Sequence, residues 1–349
     1  VEEHEYTCSL TSRFKLIFYL SNNNEFRNIY FAKHFAKDLK LVYVTLNNSN
    51  LEAIKAAKID TILLNNYFAQ PGQVNITVNN FILSQKIRNI IKKRNIEDYK
   101  VLFFFNDINF MQIISKFPSS KSHFDCCQQP GSNFLNQAFQ LKFFSKVNSI
   151  TTKDMHTLEL LKSCFKSVFR VPDGIDYEKM KFSSENNNVS LKNNNLFGCY
   201  SEEPAYLDSD FIDILATTFP DYDYYYSSLS PKPLPKTSRP NVIFSRHCLK
   251  PNSYKGVLIP SKSSNAQIIN NLFYSNLFYN APFLMVDHHE LSMHQELMKY
   301  GQNKNDLIHL LSDVNNIASF NTLEKNILKE NSNWEARANQ VISAILSTI

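Results

Sequence analysis

The segment Val168-Phe-Arg-Val-Pro-Asp-Gly-Ile-Asp-Tyr-Glu-Lys-Met180 does most to limit how this chain can fold. A short β-branched, apolar run, Val168 to Val171, enters Pro172-Asp173-Gly174. Proline fixes one backbone angle and glycine permits a positive one, so a strand is expected to end there in a tight turn. Polar, asparagine-rich residues follow from Ser183 to Asn195, and a new apolar run opens at Leu196. That order describes a chain leaving one α/β domain, crossing a linker and entering a second. The alternative is a strand and turn inside one larger domain.

Apolar runs of strand length alternate with helical patterns on both sides of this segment, the rhythm of a doubly wound parallel sheet. In the first half, strands are expected at Phe14–Leu20, Leu41–Leu46, Thr61–Leu64, Val101–Phe105, Ser122–Cys127 and from Ser149. Helices are expected at Arg27–Asp38, Phe81–Arg94, through Ile114, Phe134–Phe144 and Asp154–Phe165. Val101–Phe105 is wholly apolar, as a strand buried on both faces should be. In the second half the expected strands are Leu196–Tyr200, Tyr222–Tyr226, Asn241–Phe244, Gly256–Ile259 and Phe283–Val286. Helices are expected at Asp208–Thr218, Asn265–Tyr279, Lys304–Leu311 and Asn331–Ile349, with a proline-rich loop at Ser230–Pro240.

Composition narrows the function classes. At 349 residues and 43% hydrophobic content the chain can bury two cores. No apolar run reaches the ~20 residues of a membrane helix. No apolar leader follows Val1, so the expected location is cytoplasmic, at the inner face of the membrane if membrane-associated. Six cysteines, without CxxC spacing, read as free thiols. Six glycines leave no GxGxxG or Walker loop, so phosphate binding must use helix N-termini and side chains. The net charge of +5 is partly concentrated in Lys86-Ile-Arg-Asn-Ile-Ile-Lys-Lys-Arg94, where Ile87, Ile90 and Ile91 recur at helical spacing. This helix, 86–94, either rests on an anionic membrane surface or packs on a sheet with its bases in water. The basic residues lack interleaved aromatics and no recognition motif stands out, so nucleic acid is not an expected partner.

An ordered series of phrases resembles the GT-B-fold glycosyltransferases, among them the xanthan glucuronosyltransferase and teichuronate-type transferases. The series runs Leu196-Phe-Gly-Cys-Tyr-Ser, Asp210-Phe-Ile-Asp-Ile-Leu-Ala, Phe219-Pro-Asp-Tyr-Asp-Tyr-Tyr and Asn241-Val-Ile-Phe-Ser-Arg-His. It continues with Gly256-Val-Leu-Ile-Pro-Ser-Lys, Asn280-Ala-Pro-Phe-Leu-Met-Val and Asn333-Trp-Glu-Ala-Arg-Ala-Asn-Gln-Val. In the first half, Phe26-Arg-Asn-Ile-Tyr-Phe and Phe124-Asp-Cys-Cys-Gln-Gln resemble an "R-x-N-x-x-F" and a "Y-D-x-x-D-D" phrase. The resemblance spans nearly the whole chain, and the order of the phrases carries it. It implies an α/β GT-B architecture: two Rossmann-like doubly wound domains facing a cleft. The expected divisions are residues 1–171 for acceptor binding, 172–327 for the nucleotide sugar, and 328–349 as a helix returning toward the first domain.

Sugar transfer from a nucleotide needs cations or donors for the leaving diphosphate and, in inverting enzymes, a base for the acceptor hydroxyl. On the donor side the resemblance and the strand-end positions point to Ser201, Glu202, Arg246, His247, Ser261, Lys262 and Ser275; on the acceptor side to Arg27, Asn28 and Gln129. Gln128 and Gln129 stand where the family carries acids, and a glutamine amide accepts no proton. The family's ribose-binding Glu falls on Ser275 and its phosphate-binding Lys near Leu272. Asp125, at a strand end, is the expected substitute base, with His123 and Glu202 as alternatives. The donor is expected to be UDP-linked and its transfer metal-independent, with no other cofactor. Asp287-His-His-Glu290 with His294 offers a weaker zinc reading. Cys126 and Cys127 beside His123 offer a weaker nucleophile reading.

The expected function is transfer of a sugar from a nucleotide-sugar donor to a bacterial surface glycan or lipid-linked glycan precursor. The alternatives are a non-catalytic GT-B protein that binds a glycan or a partner transferase, and an unrelated two-domain α/β binding protein.

Overall fold

The computed structural model describes residues 10–21, 26–45, 51–64, 73–126, 145–153, 155–177, 195–249, 254–261, 266–279, 281–286, 298–301, 303–312 and 322–348. The chain forms two compact units: Val1–Gly174 with Trp334–Ile349, and Ile175–Asn333. The crossings therefore lie at 174/175 and 333/334, a few residues after the expected 171/172 and 327/328.

The first unit is built on seven parallel strands: β1 Leu16–Leu20, β2 Lys40–Thr45, β3 Asp60–Leu63, β4 Val101–Phe105, β5 Lys121–Cys126, β6 Ser149–Thr152 and β7 Val168–Arg170. Their order is β3-β2-β1-β4-β5-β6-β7, so the winding reverses between β1 and β4. Every residue of β1 and β4 is buried, as expected where both faces of a parallel sheet are covered. Alternation then sends successive side chains to opposite faces. Leu16, Phe18, Leu20, Phe103 and Phe105 share one core with Leu83, Ile87 and Ile91. Ile17, Tyr19, Tyr43, Leu102 and Phe104 share the other with Phe31, Phe35, Val341 and Ile342.

The second unit carries six parallel strands: β8 Leu196–Tyr200, β9 Asp223–Ser227, β10 Val242–Ser245, β11 Gly256–Ile259, β12 Phe283–Val286 and β13 Met298–Gly301. Their order is β10-β9-β8-β11-β12-β13, with the reversal between β8 and β11. Gly198 in β8 is dictated by a close approach: a Cβ there would lie 1.8 Å from the Tyr225 carbonyl oxygen.

The helices are α1 Phe26–Phe35, α2 Leu51–Ala56, α3 Gln73–Lys93, α4 Met155–Lys162, α5 Ser209–Thr218, α6 Ala266–Ser275, α7 Lys304–Ser312, α8 Thr322–Ser332 and α9 Trp334–Leu346. A 3₁₀ segment, Ile108–Lys116, stands where a helix through Ile114 was expected. Helix α9 buries Ala338, Val341, Ile342 and Ile345 and belongs to the first unit.

Three further expectations change. The single helix expected from Asn331 to Ile349 is two helices, α8 and α9, meeting at Asn333. Helix α3 starts eight residues before the expected Phe81. Gly174 does not serve a positive φ, since no glycine among the described residues has one. Its reason is space: a Cβ would sit 2.6 Å from the Trp334 Cα. The expected helix Phe134–Phe144 lies outside the described residues.

Candidate functional site

In open parallel sheets ligands bind beyond the carboxyl ends of the strands, at the point where strand order reverses. Both units offer such an edge. In the first unit it follows β1 and β4, with β5 beside them; in the second it follows β8 and β11, while β10 ends two strands from β8 at the margin of the sheet.

The carboxyl edge of the first unit carries a buried ion-pair cluster. Arg27, in the first turn of α1, donates from Nε to Asp125 Oδ2 at 2.7 Å and from Nη2 to Oδ1 at 2.9 Å. Thr151, paired with Asp125 across β5 and β6, donates its hydroxyl to the same Oδ1 at 2.7 Å. Nη1 of Arg27 reaches the Pro172 carbonyl and Asp173 Oδ1, both at 3.1 Å. Asp173 also lies 3.8 Å from Lys153 Nζ. Asp125 is 0% exposed and Arg27 2%. Burial alone would raise the Asp125 pKa, but the Arg27 charge and the bonds from Arg27 and Thr151 hold it below the usual carboxylate range. Asn28 is buried and accepts from the Tyr19 hydroxyl at 3.1 Å.

His123 lies one strand-face step below Asp125. Its Nδ1 meets the Ser149 hydroxyl at 2.7 Å and its Nε2 the Thr151 hydroxyl at 2.9 Å. Burial, outweighing the attraction of Asp125 and assisted by repulsion from Arg27, lowers its pKa to about 4. The ring is neutral over the physiological range.

In the second unit, Ser201 follows β8, is fully buried, and donates to the Glu203 carbonyl at 2.7 Å. Glu202 beside it is exposed. Arg246 follows β10, is half-buried, and donates from Nη2 to the Lys232 carbonyl. Its Nη1 is buried without a hydrogen-bond partner. His247 is exposed, and its carbonyl accepts from the Tyr225 hydroxyl at 2.9 Å. Ser261, just past β11, bridges Leu207. Ser275 is buried in α6 and donates to the Leu272 carbonyl at 3.4 Å. The structure thus puts Ser201, Glu202, Arg246, His247 and Ser261 at the carboxyl edge, and Ser275 inside a helix. Lys262, Gln128, Gln129, Cys127 and the Asp287–His294 group lie outside the described residues. No cluster of three or more His, Cys, Asp or Glu among the described residues suits a metal.

Sequence reasoning missed several members. Thr151 and Asp173 complete the Arg27–Asp125 cluster. Asn276 joins α6 to β8: it accepts from the Tyr200 amide and donates to the Tyr200 carbonyl, both at 2.7 Å. Asn106 follows β4 directly, with both ends of its side-chain amide unmatched. None carries a local signal: Thr151, Asp173 and Asn276 are defined by partners distant in sequence, and Asn106 by its place after β4.

This geometry can be set beside solved structures. A glycosyltransferase from Rickettsia africae matches with a TM-score of 0.65 at 10% identity, covering 96% of this chain and 100% of that one. Sucrose-phosphate synthase from Thermosynechococcus elongatus matches at 0.55 and 11% identity, over 95% and 98%. The calicheamicin glycosyltransferase CalG4 matches at 0.50 and 10% identity, over 97% and 99%. The fold is GT-B. At such identities the likeness is one of fold, and it runs through both Rossmann-like units of the GT-B chain. No protein-family model matches the sequence, and no curated protein is similar to it at the sequence level.

Proposed function

We propose that this chain is a glycosyltransferase that takes a sugar from a nucleotide-sugar donor, UDP-linked and without a metal, and passes it to a surface glycan or lipid-linked precursor. The observation that carries the reading is Arg246: a cation at the carboxyl edge of the second unit with a buried, unpartnered donor on Nη1. A leaving diphosphate supplies the acceptor such a group lacks. The names of the structural neighbours add support, since two of those above are glycosyltransferases by name.

The acceptor proton, on this reading, does not go to Asp125. Both of its oxygens are engaged by Arg27 and Thr151, and no part of it is exposed. We assign it instead an anchoring role, holding Arg27 against Pro172 and Asp173 at the end of the first unit. His123 is similarly enclosed by hydroxyls. Of the three groups named from sequence, Glu202 alone is exposed. The enclosed Asp125, with glutamines at 128 and 129, specifically favours the second reading, a non-catalytic GT-B protein that binds a glycan or a partner transferase.

The membrane role narrows. Leu83, Ile87 and Ile91 of α3 are spent in the core, while Lys86, Arg88, Lys92 and Lys93 are exposed. Over 86–94 any attraction to the inner face of a membrane is therefore mainly electrostatic and salt-sensitive, while Phe81 stands exposed earlier in the same helix. No helix among the described residues is long and apolar enough to cross a membrane.

The test is thermal: UDP, GDP and their sugars are added and the melting temperature followed, since a ligand of the native state alone raises it. Arg246→Ala should weaken nucleotide binding about 10- to 100-fold, the range for a charge-assisted phosphate contact. No shift with any nucleotide would remove the transferase reading and leave the glycan- or partner-binding one. A shift without turnover across a panel of donors and acceptors would select the non-catalytic one.

A further inference from the structure

On the α1- and α9-covered face of the first unit, the sheet ends in a polar row. The register aligns Tyr43, Tyr19, Phe104, His123 and Ser149 across β2, β1, β4, β5 and β6. Two residues further along each strand stand Thr45, Ser21, Asn106, Asp125 and Thr151. Ser21 and Asn106 still bond back to the sheet, through Ser21 N to Val44 O at 2.9 Å and Asn106 N to Leu20 O at 3.3 Å. All five are polar and none is more than 6% exposed.

Asn106 differs from its neighbours in the row. Asp125 and Thr151 bond to one another and to Arg27 or His123. Asn106 has neither Nδ2 nor Oδ1 in a hydrogen bond, and it is 6% exposed. A buried amide with both ends unmatched destabilises a fold, and native cores rarely keep one without another use for it. Its position supplies that use. Asn106 closes β4 beside β1, where the strand order reverses and a crevice is expected.

We propose that Asn106 is a ligand-recognition residue at this edge, for a neutral, hydroxyl-bearing group such as a sugar of the acceptor glycan. An amide offers a donor and an acceptor in one plane, matching a hydroxyl that both gives and takes a hydrogen bond. The surrounding charge argues for neutrality. Arg27 and Lys153 face Asp125 and Asp173, and the acid Asp107 directly follows Asn106, so these groups leave no excess of cations to draw a phosphate. Naming the ligand as the acceptor rests on the transferase reading above; the site at Asn106 does not.

The experiment uses the full chain, a printed panel of neutral, uronate-bearing and phosphorylated oligosaccharides, and the variants Asn106→Leu and Asn106→Ala. Leucine keeps the volume and removes the unmatched amide. If Asn106 is held for a ligand, Asn106→Leu melts about 2–4 °C higher than the parent. It also loses at least tenfold in binding to neutral glycans, with the nucleotide-induced shift intact. Should leucine not fold, alanine is read by the same glycan criterion. Unchanged glycan binding in the variant that folds overturns the proposal, as does a parent that binds no neutral member of the panel. A parent that binds neutral glycans through Asn106 but shows no shift with UDP or GDP would sink the transferase reading and leave this site standing.

Discussion

At the residue scale, the anchoring role proposed for Asp125 and a catalytic one predict different behaviour of the same variant. Breaking a buried, hydrogen-bonded ion pair from one side typically costs about 3–5 kcal/mol. Asp125→Asn should therefore lower stability to urea unfolding by that order, because Arg27 would lose its two-point partner. Unaltered stability with abolished turnover would restore Asp125 as a base. His123 gives a pH signature. Its pKa falls from 6.5 to about 4 in the folded state. The unfolded chain thus binds the proton first as pH drops, and stability present above pH 6.5 is lost progressively down to pH 4. The loss amounts to about 3 kcal/mol. Asp125, also depressed, adds to the loss only below the ordinary carboxylate range, as pH falls toward its folded pKa. His123→Asn should flatten the slope between pH 6.5 and 4; an unchanged slope would assign it to other groups. Asp125 was legible in the sequence as a strand-end acid, and was expected there to be the base. Its neutralisation was not, since Arg27 lies 98 residues away.

At the element scale, the strands that sequence placed best are those with no choice. Val101–Phe105, Leu196–Tyr200, Gly256–Ile259 and Phe283–Val286 occur as expected, each a short apolar run of a buried parallel sheet. Among the elements that sequence did not announce, a strand and a helix were silent for physical reasons. Met298–Gly301 is an edge strand, paired only to β12 and without a β-branched residue. Helix α8 has few apolar positions, and Leu323 and Ile327 are exposed at 70% and 47%, so its pattern shows little inner face. Joins between elements were also invisible, and Asn276 shows why they matter. Its side chain substitutes for a ladder partner at the end of β8, satisfying the Tyr200 amide and carbonyl from the C-terminus of α6. Asn276→Ala would leave both groups buried and unmatched, at about 1–3 kcal/mol each. Thermal unfolding should report a loss of that size; a change under 1 kcal/mol would mean water or a neighbour replaces the amide.

At the scale of the whole molecule, the same plan is used twice, a parallel sheet whose order reverses at its centre, but the chain does not divide into two consecutive pieces. It returns to the first unit through α9, whose Val341 and Ile342 share a core with Phe31, Phe35 and Phe104. The only tryptophan, Trp334, begins that helix and stacks on Tyr30 with ring centroids 4.9 Å apart. Tryptophan fluorescence therefore reads the first unit, while amide hydrogen exchange in α5 and α6 reads the second. Val341→Asp should resolve the two. Val341 is 0% exposed, and a buried carboxylate without a partner is pushed toward protonation by several pKa units, at about 4 kcal/mol or more. That is a large share of the ~5–15 kcal/mol that holds a domain. The fluorescence transition should move to much lower urea, with exchange protection in α5 and α6 retained. Loss of both together would show that the units fold as one cooperative body, and loss in α5 and α6 alone would show that α9 belongs to the second unit.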